Sequence, residues 1–267
     1  NAITFAPGNY AFNRDFEIDG TLNHSTGTLS IASGHAVDIG GALNWNAGAT
    51  IAGPGTLNLR TGSTVNINDT QGAGFHTLSG VTVNNAGTVN YAVAAGNSRE
   101  LLINDGSVFN NTGHFNFTGD NVVSGNGGNF NNSGTLAKTA GTGSSGFASQ
   151  ARFNNLDGGT VNSGTGTVLI QTAGTHAGVF NLAGNNVRFN DSTQTFANGS
   201  VLRGTSNFNG ATIVANGNLT IDGTLNWSSG ATVTNAGSAG TLTVLGTSTL
   251  NINDTQGAGF HTLSGVT

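Results

Sequence analysis

The chain has 267 residues with a net charge of -5; 44 are glycine, 2 are proline, none is cysteine and only 7% are charged. The basic residues are scattered singly, which excludes nucleic-acid or anionic-lipid binding by phosphate neutralisation, and no apolar run reaches the eighteen residues of a membrane-spanning helix. Disorder is opposed by the lack of charge and proline and by regularly spaced Val, Ile, Leu and Phe, a β-strand and turn vocabulary.

In chain order, the first segment carries neither an initiator methionine nor a signal-peptide pattern, so a processed or excised start is expected at Asn1. Asp15, Glu17 and Asp19 follow on an alternating stretch that puts all three carboxylates on one face beside Arg14. That arrangement suits a cation or a sugar, but the favoured expectation is a solvated acidic face. From Gly20 onward a short unit, Gly-Thr/Ser-aliphatic-Asn, restarts at Gly41, Gly62, Gly87, Gly106, Gly128 and Gly159, a spacing of roughly 20 residues that marks a solenoid. Strands such as Thr64 to Asn68 and His114 to Thr118 alternate aliphatic or aromatic residues with Asn or Thr. The loop after the first holds Asp69 and His76, a thin pair for metal or proton transfer; the plainer expectation is a turn-forming Asp69 and a surface His76 beside a buried Phe75. The remaining histidines, His24, His35, His114 and His176, have no acid beside them in sequence and are expected on the surface. Phe109, Phe115, Phe117, Phe130, Phe153, Phe180, Phe189 and Phe208 crowd the middle of the chain and are expected as a stacked core.

The last third repeats the first. Residues 20–82 match 202–267 at an offset of about 182 to 185, and Asn66 to Thr82 returns unchanged as Asn251 to Thr267, copying Asp69 and His76 as Asp254 and His261. Gly41 to Thr50 likewise matches Gly223 to Thr232, so both tryptophans, Trp45 and Trp227, are one position seen twice. Like sequences recurring at one coil length favour stacking over hairpins. The expected fold is all-β with essentially no helix: one continuous β-solenoid over 1–267, a right-handed parallel β-helix with coils of about 19–25 residues, about thirteen in all.

The Gly-Thr-Leu-Asn units and the corners Asn84-Asn85-Ala86-Gly87-Thr88 and Asn131-Asn132-Ser133-Gly134-Thr135 resemble the β-helical stalks of large secreted bacterial adhesins, the filamentous-haemagglutinin-like exoproteins and autotransporter passengers. The Asn-Pro-Asn signature of a two-partner export domain is absent, so the resemblance implies stalk. It implies a secreted, adhesive repeat module at the bacterial cell surface or in the matrix, with neighbouring repeats, like molecules or polysaccharide as partners. No catalytic residue, metal or cofactor is expected. A self-assembling extracellular filament and a polysaccharide-degrading β-helix enzyme are the alternatives.

Overall fold

The computed structural model describes all residues except 47, 69–73, 93–99, 229, 236, 238–239 and 254–258, and the side chains of 183 and 184 are likewise outside the description. The described chain is all strand, turn and corner, wound into a parallel β-solenoid of about 11 turns, fewer than the thirteen expected. At roughly 4.8 Å of rise per turn the rod is on the order of 50 Å long.

Each coil has three faces. One coil shows them in order: Thr64–Asn68 on the first face, His76–Ser79 on the second and Thr82–Asn85 on the third. Strands of the inner coils pair in parallel with their equivalents above and below: Thr64–Asn68 with Ala42–Asn46 and Thr88–Ala92, and Thr82–Asn85 with Thr56–Leu59 and Val108–Asn111. Coil length is not constant. Ala2 pairs with Thr21 and Thr88 with His114, steps of 19 and 26 residues. Extra residues are taken up at corners, so strand registers survive. In the later coils the first and second faces fuse into long strands, Val179–Asn190, Ser200–Asn209 and Asn218–Ser228.

The interior follows from period-two alternation. Val65, Ile67, Val89, Tyr91, Phe115 and Phe117 point inward on the first face, and their neighbours in sequence point out. All eight phenylalanines expected in the core are buried. Phe109 stacks on Phe130 one coil away at 4.8 Å, and Phe147 stacks on Phe153 across the interior of a single coil at 4.2 Å. Each buried ring contributes roughly 2 to 3 kcal/mol.

Asparagine does not always take the outward position. Asn85, Asn111, Asn132 and Asn155 share the inward parity of Val83, Phe109, Phe130 and Phe153 and are buried at the corner. Each Nδ2 donates to the Oδ1 of the next, at 2.7, 2.7 and 2.8 Å, so no amide in the row is buried without a partner.

Corner glycines serve stacking as much as turning. Gly113 has an ordinary φ, yet a Cβ there would sit 2.2 Å from the Gly87 carbonyl oxygen one coil below. That same oxygen accepts the His114 N–H at 2.9 Å. Gly62 is the opposite case: its φ is +87° and a Cβ would meet nothing within 4 Å.

The long repeat returns on a different face. Thr64–Asn68 lies on the first face, whereas its copy Thr249–Asn253 pairs with the second-face half of Asn218–Ser228. Similarly His76–Ser79 is on the second face and Thr262–Ser264 joins the third-face strand Thr232–Asn235. Local geometry is kept through the move. Trp45 Nε1 donates to Ala49 O and Trp227 Nε1 to Ala231 O, both at 2.9 Å, and the rings pack edge-on against His76 and His261 at 5.7 and 6.1 Å.

Candidate functional site

The outer surface of the third face carries a single column of polar side chains, in register from Glu17 through Asp38, Asn58, Asn84, Asn110 and Asn131 to Asn154. Parallel in-register pairing sets one residue over its equivalent at the coil spacing, so each amide reaches the next. Asn84, Asn110, Asn131 and Asn154 each donate Nδ2–H to the Oδ1 below, at 3.0, 3.0, 3.0 and 2.9 Å. Every donor points toward the N-terminus. The run ends on a carboxylate, with Asn58 Nδ2 donating to Asp38 Oδ1 at 2.7 Å, a charge-assisted bond suited to the donor end of a row of aligned dipoles. The buried corner ladder from Asn85 to Asn155 runs the other way.

Below Asp38 the sequence-predicted acids gather around an open cavity of about 290 Å³ lined by Asp15, Phe16, Glu17, Ala36, Asp38 and Asn58. The basic partner is Arg60, two coils on, and not the expected Arg14: Arg60 Nη2 donates to Glu17 Oε1 and, at 2.8 Å, to Asp19 Oδ1. Arg60 lies 41 residues from Asp19 in sequence, and only the coil length brings it there. Asp15 takes the Ala36 N–H at 3.0 Å and faces His35 Nδ1 at 3.3 Å, so His35 does have an acid beside it. The backbone donor of Ala36, then His35, hold the Asp15 carboxyl below the usual carboxylate range. Two carboxylates tied to a guanidinium and a third held ionised can accept hydrogen bonds or act as a general base; general acid catalysis needs a raised value instead.

The repeated Asp–His pair has a different outcome. Asp69 and Asp254 lie outside the described residues. His76 is buried and Phe75 is 46% exposed, the reverse of the expectation. Parity explains it: His76 and Leu78 are two apart on one strand and both face inward. His76 Nε2 lies 3.2 Å from Asn68 O and its ring meets Tyr91, so it belongs to the core. His261 sits in the last coil, half covered, 3.1 Å from Trp227 O.

His24 and His176 are also buried, correcting their expected surface placement, whereas His114 is exposed. His24 bonds Thr50 O, and burial lowers its pKa. His176 sits among Phe153, Phe180, Phe189 and Phe196. Its Nε2–H donates to Gln194 Oε1 at 2.8 Å while Nδ1 accepts the Asn155 N–H at 3.4 Å. The neutral ring is thereby satisfied on both sides, and burial pushes its pKa down to about 4.

Lys138 was expected only as a scattered basic residue and is fully buried, at the inward position stacked between Phe117 and Ser163. Its Nζ donates to Asp120 Oδ1 at 2.7 Å, Ala140 O at 2.9 Å and Ser145 Oγ at 3.1 Å. Parity with Leu136 is the signal that would have found it. The ammonium, with a backbone bond from Gly143, holds Asp120 below the ordinary carboxylate range. Among the described residues no group of three or more His, Cys, Asp or Glu is placed to hold a metal ion.

Comparison with known proteins adds no identity: no family model matches the chain, and no curated protein or solved structure matches it.

Proposed function

We propose that the chain is a structural and adhesive repeat module of a secreted bacterial cell-surface or matrix protein. The supporting observation is the outward amide column from Asn58 to Asn154 on a stiff rod. Each amide in the column uses one N–H and one oxygen lone pair for its neighbours, which leaves one donor and further acceptor capacity facing solvent at every coil. A single such contact is worth only about 1 kcal/mol. Repeated along an extended partner such as a polysaccharide, weak contacts add as intramolecular events once the first has formed.

A polysaccharide-degrading enzyme would use the acidic cavity at Asp15, Glu17 and Asp38. The depressed Asp15 fits the ionised base or nucleophile of such a site and not its general acid, which another carboxyl would have to supply. The adhesive reading is tested by immobilising the chain and measuring retention of intact cells and a panel of neutral and acidic surface polysaccharides. Retention that increases with the number of coils presented is expected. Failure to retain any polysaccharide or cell surface overturns the reading, and release of new reducing ends would replace it with the enzymatic one. Electron microscopy of the secreted product separates the filament alternative, which requires rods without a fixed length.

A further inference from the structure

The amide ladder of the first face has a copy on the second, and the two differ at one end. In the first, Asn66 donates to Asn44, Asn44 to Asn23 and Asn23 to Thr4 Oγ1. In the copy, Asn251 donates to Asn226 and Asn226 to Asn207, and the next position in register is Arg188. Asn207 Nδ2 turns instead to Val187 O at 3.1 Å. Arg188 is the only charged side chain among the outward-facing described residues of the second face between Thr167 and Asn253. Arg60, Arg203 and Lys138 each have a carboxylate partner. Among the described residues Arg188 has none, and its Nε is sheltered from solvent without an acceptor.

Arg188 opens into a groove of about 350 Å³, lined also by Thr167, Asn186, Asn207, Asn209 and Ser228. These residues come from four successive coils, so the groove runs about 14 Å along the rod. Its amides and hydroxyls match sugar hydroxyls, and a guanidinium, always charged and planar, matches a carboxylate. We propose that this groove binds a carboxylate-bearing sugar within an extended glycan, Arg188 taking the carboxylate and the flanking Asn, Thr and Ser side chains taking the hydroxyls. A neutral sugar would cover the guanidinium without supplying an anionic acceptor, so selectivity for the acid follows. The inference deepens the adhesive reading and rests on it for the polymeric nature of the ligand.

The test titrates the whole chain with tetragalacturonic acid and with its methyl ester, at low and at physiological salt. Arg188→Gln keeps a polar side chain at the site, and Arg152→Gln, on the third face, is the control; matching circular dichroism and melting curves establish that all three proteins are folded. Expected are binding of the acid, an affinity lower by about tenfold or more for the ester and for Arg188→Gln, and no change for Arg152→Gln. Equal binding of acid and ester, undiminished binding by Arg188→Gln, or no binding of the acid overturns the groove. Retention of neutral polysaccharides by the immobilised chain would then leave the adhesive reading standing. Arg188-dependent binding by a chain that retains no polysaccharide or cell surface would do the reverse.

Discussion

Replacing Gly113 by alanine tests whether the coils are held together at their glycine corners. The added Cβ would lie 2.2 Å from Gly87 O, 2.7 Å from the Ala86 carbonyl carbon and 2.8 Å from Ala86 O, all backbone atoms of the coil below. Relief to ordinary contact needs the two coils to part locally by about 1 Å. That would stretch the 2.9 Å bond from His114 N to Gly87 O beyond hydrogen-bonding range, together with the bonds of Thr112 N and Gly113 N to Asn85 O at 2.8 and 3.0 Å. At about 1 kcal/mol net for each, the substitution costs about 3 kcal/mol. Gly62→Ala is the internal comparison. It is strained by its left-handed backbone but has open space, so a cost of about 1 kcal/mol is expected. Urea unfolding gives the two midpoints, and hydrogen exchange at the amides of His114 and Thr135 shows whether the damage is local to that corner. Equal costs for the two variants, or a larger one at Gly62, would refute the stacking argument.

Three further outcomes are expected. Stability should fall as pH drops from about 6.5 toward 4, because unfolded His176 takes up a proton that the folded ring refuses; the shift corresponds to about 3 kcal/mol, present above pH 6.5, and urea midpoints against pH measure it. An imidazole signal for His176 titrating near 6.5 would remove the basis for this. Asp120→Ala should cost about 2 kcal/mol by leaving the Lys138 ammonium buried without its carboxylate, whereas Lys138→Met should lie within about 1 kcal/mol of the parent, both read from urea midpoints. Asn132→Ala should cost about 3 kcal/mol, since it strands partners at Asn111, Asn155 and Thr160, while Asn131→Ala, open to water, should cost less than about 1 kcal/mol by the same measurement.

The solenoid was legible because one physical rule, alternation within strands, is written many times along the chain. Thr64 to Asn68 and His114 to Phe117 gave both the strand and its facing, and the phenylalanine column followed. The errors came where polarity was read in place of parity. His24, His76, His176 and Lys138 occupy inward positions on their strands, and the fold accommodates them by supplying a carbonyl, an amide or a carboxylate at each. The Asp15, Glu17 and Asp19 cluster was visible as a shared face, but its partner Arg60 was not, because two coils of variable length separate them. Arg188 gave no local signal at all. Its significance comes from the registers that set Asn207 beside it and Asn226 one coil further on.

The face change of the long repeat gives the rod a phase. A duplicated segment of a solenoid keeps its azimuth only if its length is a whole number of coils, and this one advances by an additional third of a circuit, from Thr64–Asn68 to Thr249–Asn253. In any chain carrying such segments in tandem, a stripe of outward amides would wind about the axis like a screw thread, coming back to its starting side after three copies. A long partner gripping that stripe would be obliged to wrap, and a flat one would meet it only at intervals. Insertion or loss of a single strand and corner within the segment would reset the pitch while leaving every coil intact.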